Sequence, residues 1–206
     1  MPCGGSVGAG PFHSQTNEAW FFKTPGLKIV YPSNPRDAKG LLLAAIQDPN
    51  PVLFFEHKAL YRSMTDSIPI DYYTEEIGKA NLVRNGNEAV IITYGLGVKW
   101  AKDIQEKTGY DIAILDLRSL APLDFDAISD IVKQTSKVSL LHEDTLLGGI
   151  GAELSAYISE HLFEYLDAPI MRVASLDTPY PFAKNLETQY LANYRLEESL
   201  NKLIQY

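Results

Sequence analysis

Leu27-Lys28-Ile29-Val30-Tyr31 is an apolar run set between Thr24-Pro25-Gly26 and Pro32-Ser33-Asn34-Pro35, and its length and punctuation give a buried strand. A helix follows from Ala38 to Gln47: Ser33 and Asn34 can cap it, Pro35 fits its first turn, Asp37 suits the positive end of its dipole, and Leu41, Leu42, Ala45 and Ile46 share one face. Asp48-Pro49-Asn50-Pro51 must turn, and Val52-Leu53-Phe54-Phe55 is a second continuous apolar strand. Residues 27–55 thus form a right-handed crossover between parallel strands, and the fold class is α/β. Two strands apolar on both faces need further neighbours. Residues 1–61 are therefore expected to be the back half of a domain whose first strands lie upstream of Met1. The alternative is a small domain completed by later strands of the same chain.

Downstream, residues 62–77 turn polar and lose periodicity, as a linker does. A second domain, residues 78–206, begins with Ala80 to Arg84 and Ala89 to Tyr94, which read as two strands joined by a tight hairpin at Asn85-Gly86. Helices over Gly95–Lys107 and Pro122–Gln134 alternate with strands over Asp111–Leu117 and Val138–Leu141. Gly148-Gly149 opens a long helix with Ile150, Leu154, Ile158 and Leu162 on one stripe; a strand over Ile170–Val173 and a helix over 194–204 close the chain. The alternation predicts an open, mostly parallel sheet of about five strands.

Upstream lies Val7-Gly8-Ala9-Gly10-Pro11-Phe12-His13-Ser14-Gln15-Thr16-Asn17-Glu18. The glycines can take backbone angles closed to other residues, and the run delivers one imidazole to the mouth of a short helix opened by Ser14 or Thr16. That arrangement builds a site; a packed, hydrogen-bonded structural histidine is the alternative.

With 26 acidic and 18 basic residues the chain carries a net charge of -8, which argues against nucleic acid as a partner. The single cysteine, Cys3, excludes an internal disulfide and suits a reducing cytoplasm. No apolar run is long enough to span a membrane, and no membrane partner is expected.

Several motifs, taken in order, carry a resemblance. His13-Ser14-Gln15, Pro25-Gly26-Leu27-Lys28, Asp37-Ala38-Lys39-Gly40-Leu41-Leu42, Phe55-Glu56 with Leu60-Tyr61-Arg62, Asp116-Leu117-Arg118, His142-Glu143 and Gly148-Gly149-Ile150-Gly151-Ala152-Glu153 together resemble the beta subunit of thiamine-diphosphate-dependent 2-oxo acid dehydrogenases. Phe54-Phe55-Glu56 with Leu60-Tyr61-Arg62 looks more like the branched-chain (2-oxoisovalerate) enzymes than the pyruvate enzymes, and His142-Glu143 leans the same way. The resemblance implies the C-terminal half of a thiamine-diphosphate pyrimidine-binding domain followed by a transketolase C-terminal-like domain.

It also implies oxidative decarboxylation of a 2-oxo acid and reductive acylation of lipoamide, with the cofactor carrying the hard chemistry. His13 matches the family's catalytic histidine, and Phe12, Ser14 and Gln15 are expected to support it or the cofactor; Gln15 acting only as a helix cap is the alternative. Ala45, Asp48 and Asn50 match positions that help to hold a structural potassium ion, unless they simply form a turn. His142, Glu143 and Tyr206 are expected at partner contacts, with packing as the alternative for the first two and with Glu197 and Glu198 as acidic neighbours of the last. Thiamine diphosphate and magnesium are expected to bind only in an assembly. Its other members are an alpha subunit or a fused alpha portion, a second beta-like chain and a lipoyl acyltransferase. Two other possibilities are a non-catalytic dimerisation and acyltransferase-docking module, and a pyruvate-specific or transketolase-like enzyme. His57 and His161 read as ordinary.

Overall fold

A computed structural model describes the whole chain, residues 1–206. The first segment runs β1 (Pro2–Cys3), α1 (Gly10–His13), α2 (Glu18–Phe22), β2 (Lys28–Val30), α3 (Pro35–Gln47), β3 (Val52–Phe54), β4 (Glu56–His57) and α4 (Leu60–Ser63). β2 and β3 are parallel, with Ile29 opposite Leu53. Asn34 caps α3 by accepting the Asp37 N–H at 2.9 Å. Leu41 is fully buried beneath α3, whereas Leu42 and Ile46 are exposed. The expected apolar face is thus only partly covered, because the sheet under it is three short strands wide.

The second segment runs β5 (Asn81–Arg84), β6 (Ala89–Thr93), α5 (Leu96–Thr108), β7 (Ile112–Asp116), β8 (Ser119–Ala121), α6 (Phe125–Thr135), β9 (Val138–Thr145), α7 (Ile150–His161), β10 (Met171–Ser175), α8 (Lys184–Tyr190) and α9 (Asn193–Ile204). Five strands form one sheet in the order β10-β9-β6-β7-β5, parallel except for β5. Ile150, Leu154 and Ile158 of α7 pack with Ile128 and Val132 of α6 in one cluster; Leu196, Leu200 and Leu203 of α9 pack with Val98, Ala101 and Ile104 of α5 in another.

The hairpin expected at Asn85-Gly86 does not form. β5 pairs antiparallel with β7, and β7 separates it from β6. Residues 85–88 instead pass over the start of β7, where Asn87 and Glu88 both donate to the Asp111 carbonyl at 2.9 Å. Gly86 lies so close to the Ile112–Ala113 backbone that a Cβ would sit 2.3 Å from it. A locally favoured turn is overridden by a strand that inserts between its two arms.

The two segments share one core. β8 pairs antiparallel with β2, so the second segment supplies the third strand of the first segment's sheet. Tyr31 stacks on Phe55 with centroids 5.6 Å apart and meets Tyr94 at 5.4 Å. Arg118, buried and held at φ +54, donates to Asp37 at 3.1 Å, to Glu75 at 3.3 Å and to the Lys79 carbonyl at 3.0 Å. Burial pushes the neighbouring Asp116 carboxyl up to about 7, while the Ser33 hydroxyl that donates to it pulls the other way.

Candidate active site

His13 ends the single-turn α1; it does not open a helix, since α2 begins at Glu18 after Asn17, and Ser14 and Thr16 are buried. The imidazole is exposed and makes no hydrogen bond within the chain. It lines an open groove of about 1470 Å³ at the seam of the two segments, together with Phe12, Gln15, Arg62, Trp100 and Glu187. Phe12 is 84% exposed and meets the Phe182 ring edge-on, with centroids 6.4 Å apart.

The loop that leads to His13 is held from the second segment. Glu143 Oε1 accepts the Gly5 N–H at 2.6 Å, and its Oε2 lies 2.6 Å from His57 Nε2. His57 Nδ1 accepts the Ala59 N–H at 3.2 Å, so that nitrogen is unprotonated and the ring proton sits on Nε2, directed at Glu143. One residue on, the Ser6 N–H donates to Glu187 Oε1 at 2.7 Å, and the Tyr180 hydroxyl donates to the same oxygen. The path is tight: a Cβ on Gly4, where φ is +88, would lie 2.1 Å from His57 Nε2, and one on Gly5 would lie 2.2 Å from the Tyr180 hydroxyl.

Beside this network lies an acidic cluster. Glu18 is fully buried; one oxygen accepts the Tyr94 hydroxyl at 2.7 Å and the other has no partner. Burial, with Asp144 and Glu143 adding to it, pushes Glu18 up to about 8, and burial raises Asp144 to about 6. The Cys3 thiol is buried against the Tyr31 hydroxyl and driven well above its usual range, so it offers no nucleophile at neutral pH.

His142 and Glu143 do not lie on the surface of this chain. Glu143 belongs to the loop anchor, and His142 is enclosed by Gly149 and Gly151 with neither ring nitrogen in a well-aligned hydrogen bond; burial lowers it to about 4. His57, which sequence reasoning passed over, is the residue that locks Glu143. Tyr206 is exposed, while Glu197 pairs with Lys107 and Glu198 with Lys202, so neither acid is free.

At the Ala45, Asp48 and Asn50 turn, the Ala45 carbonyl has no helical partner because residue 49 is proline. Asp48, however, is bound by Lys28 and accepts from both nitrogens of Asn50, and Lys28 foremost holds its carboxyl below the usual range. As arranged, the turn's carboxylate already faces a cation, the Lys28 ammonium, and does not fit a potassium ion. No cluster of three or more His, Cys, Asp or Glu side chains is fit to hold a metal.

A crossover segment whose sheet is completed by one strand of a following domain, itself built on a five-stranded, mostly parallel sheet, matches the family models of transketolase. The chain belongs to that family: residues 1–64 match its pyrimidine binding domain and residues 78–195 its C-terminal domain. It is 45% identical over its whole length to a 2-oxoisovalerate dehydrogenase subunit beta of Bacillus subtilis, of which it covers 64%. It is 48% identical over 89% of its length to a pyruvate dehydrogenase E1 component subunit beta of Porphyra purpurea, of which it covers 56%. The chain thus spans rather less than two thirds of these relatives. A solved structure titled "Split gene transketolase, inactive beta4 tetramer" shares the fold, with a TM-score of 0.76 and 19% identity over 95% of this chain and 63% of that one. No helix is long and apolar enough to cross a membrane.

Proposed function

We propose that this chain is the beta portion of the dehydrogenase component of a 2-oxo acid dehydrogenase complex, oxidatively decarboxylating a branched-chain 2-oxo acid and passing the acyl group to a lipoyl group on an acyltransferase. The observation that carries the reading is His13: an exposed imidazole without an internal partner, on the edge of a large groove, presented by a loop anchored through buried carboxylates. Thiamine diphosphate with magnesium, when bound, supplies the carbon nucleophile and the electron sink for loss of carbon dioxide. The ligands of the diphosphate-bound magnesium are expected from an alpha subunit or a fused alpha portion, as the family resemblance implies.

His13 can donate a hydrogen bond to the substrate carboxylate and deliver a proton from its ring nitrogen as the acceptor dithiolane opens. Phe12 and Gln15 flank it on the same groove and limit which side chains and waters approach. A second beta-like chain is the expected further member of the assembly, and exposed Tyr206 is a candidate contact for the acyltransferase.

Co-assembly with the alpha portion and assay with ferricyanide as electron acceptor tests the reading. Turnover of 3-methyl-2-oxobutanoate that exceeds turnover of pyruvate, and that His13→Ala lowers at least a hundredfold to a small measurable residue, is expected. Preference for pyruvate, the second reading favoured by the pyruvate-named relative, would correct the substrate; no turnover of either acid would refute the function.

A further inference from the structure

We infer that the buried carboxylates of Glu187 and Glu143 hold His13 in its working position by fixing two consecutive amides, Ser6 and Gly5, from which its loop departs. The inference rests on the catalytic reading of His13 above.

The geometry leaves these acids little else to do. Both are buried, at 5% and 6% exposure, and neither pairs with a lysine or arginine. Their donors are the two loop amides, the His57 ring and the Tyr180 hydroxyl. A buried carboxylate with so few donors cannot release one cheaply, so lifting the loop away would leave buried acceptors unpaired. Tyr180 donates to the same Glu187 oxygen as Ser6 and packs against Gly5, which fixes the rotamer of Glu187.

The far end of the loop is gripped by the same stretch of chain. Phe182 lies against Gly10, where a Cβ would come within 3.0 Å of its ring, and meets Phe12 edge-on. Between the two grips, Val7 and Gly8 are exposed. Residues 180–187 therefore clasp the loop at its base and just before His13, and a residue near the start of the chain takes its position from one near the end. Glu187, Glu143 and Tyr180 are positioning residues in this scheme; none is placed against the reacting atoms.

The test uses the assembled protein carrying Glu143→Gln, Glu187→Gln or Tyr180→Phe, each alone and combined with His13→Ala. Three results are expected. kcat falls at least tenfold with KM within about twofold; the Gly5 amide in Glu143→Gln, and the Ser6 amide in Glu187→Gln or Tyr180→Phe, exchange hydrogen at least tenfold faster while the amides at the middle of β6 exchange at the native rate; and none of the three adds a further loss to His13→Ala. Losses that multiply in the double variant, or unchanged exchange at Gly5 and Ser6, would overturn the inference. If Glu187→Gln fails to fold, Tyr180→Phe, which removes one oxygen, carries the same comparison. Amide exchange needs neither substrate nor cofactor. A native protein that turns over no 2-oxo acid would thus refute the proposed function, while exchange at Gly5 and Ser6 still decides whether the carboxylates hold the loop.

Discussion

Glu18 is a fully buried acid with one oxygen on the Tyr94 hydroxyl and the other facing no donor, and replacing it by glutamine isolates what its charge costs the fold. Burial comes first among the causes that raise it from 4.5 to about 8, followed by the Asp144 charge, with the Tyr94 hydrogen bond working against them. The sign follows from proton binding: between pH 5 and 8 the unfolded chain has released the Glu18 proton and the folded chain keeps it. This contribution to stability is present in full below the unfolded value and is lost as pH rises through the folded one. One proton corresponds to roughly 1.4 kcal/mol per pH unit, on the order of 4 kcal/mol across the window. Glutamine does not titrate, but its amide would bury donors where Oε2 has no partner, at a cost of about 1–3 kcal/mol. Urea denaturation from pH 5 to 9 should therefore find Glu18→Gln less stable than the native protein at pH 5 and the two curves converging, then crossing, as pH rises. Asp144 and Asp116 titrate in both proteins, so the difference curve is the quantity to read. A difference that does not change with pH would refute the buried, protonated Glu18.

Three further outcomes follow from the contacts. Gly4→Ala sets a Cβ against the buried His57 ring in a backbone conformation with φ +88, and should cost about 2–4 kcal/mol by thermal denaturation; a loss below about 0.5 kcal/mol would show that the loop can move aside. Arg118→Met leaves Asp37 buried without its cation and should cost about 3–5 kcal/mol, read by urea denaturation; a neutral result would mean that the Asn34 side chain suffices for Asp37. His13→Ala removes an exposed side chain with no internal partner, so stability should change by no more than about 0.5 kcal/mol while activity in the assembly falls at least a hundredfold; a large destabilisation would make His13 a structural histidine.

The parts of this fold legible in the sequence are those whose signals are local. The crossover over residues 27–55 carries its cap, turn and apolar strands within a single stretch, and α7 announces its buried stripe at four-residue spacing. Asn85-Gly86 misled because the strand that separates its two arms lies more than twenty residues downstream. β8 is three residues long and α8 seven, with Leu186 of α8 exposed, so neither offers a period to detect. At the candidate site, the glycine-rich run drew attention to His13, but the groups that anchor the Gly5 and Ser6 amides of its loop were out of reach. His57 takes its meaning from a carboxylate 86 residues away, and the Ser6 anchor, Glu187, lies 181 residues from it. Conversely, Asp48 was read as a cation ligand without Lys28, which the β2–α3–β3 crossover brings onto it.

The most direct test of the proposed function, that this chain supplies His13 to a thiamine site shared with a partner, is a calorimetric titration with thiamine diphosphate and magnesium, performed first on these 206 residues and then after adding the alpha portion. Binding only in the assembled form is expected. Tight binding by the 206 residues alone would contradict it.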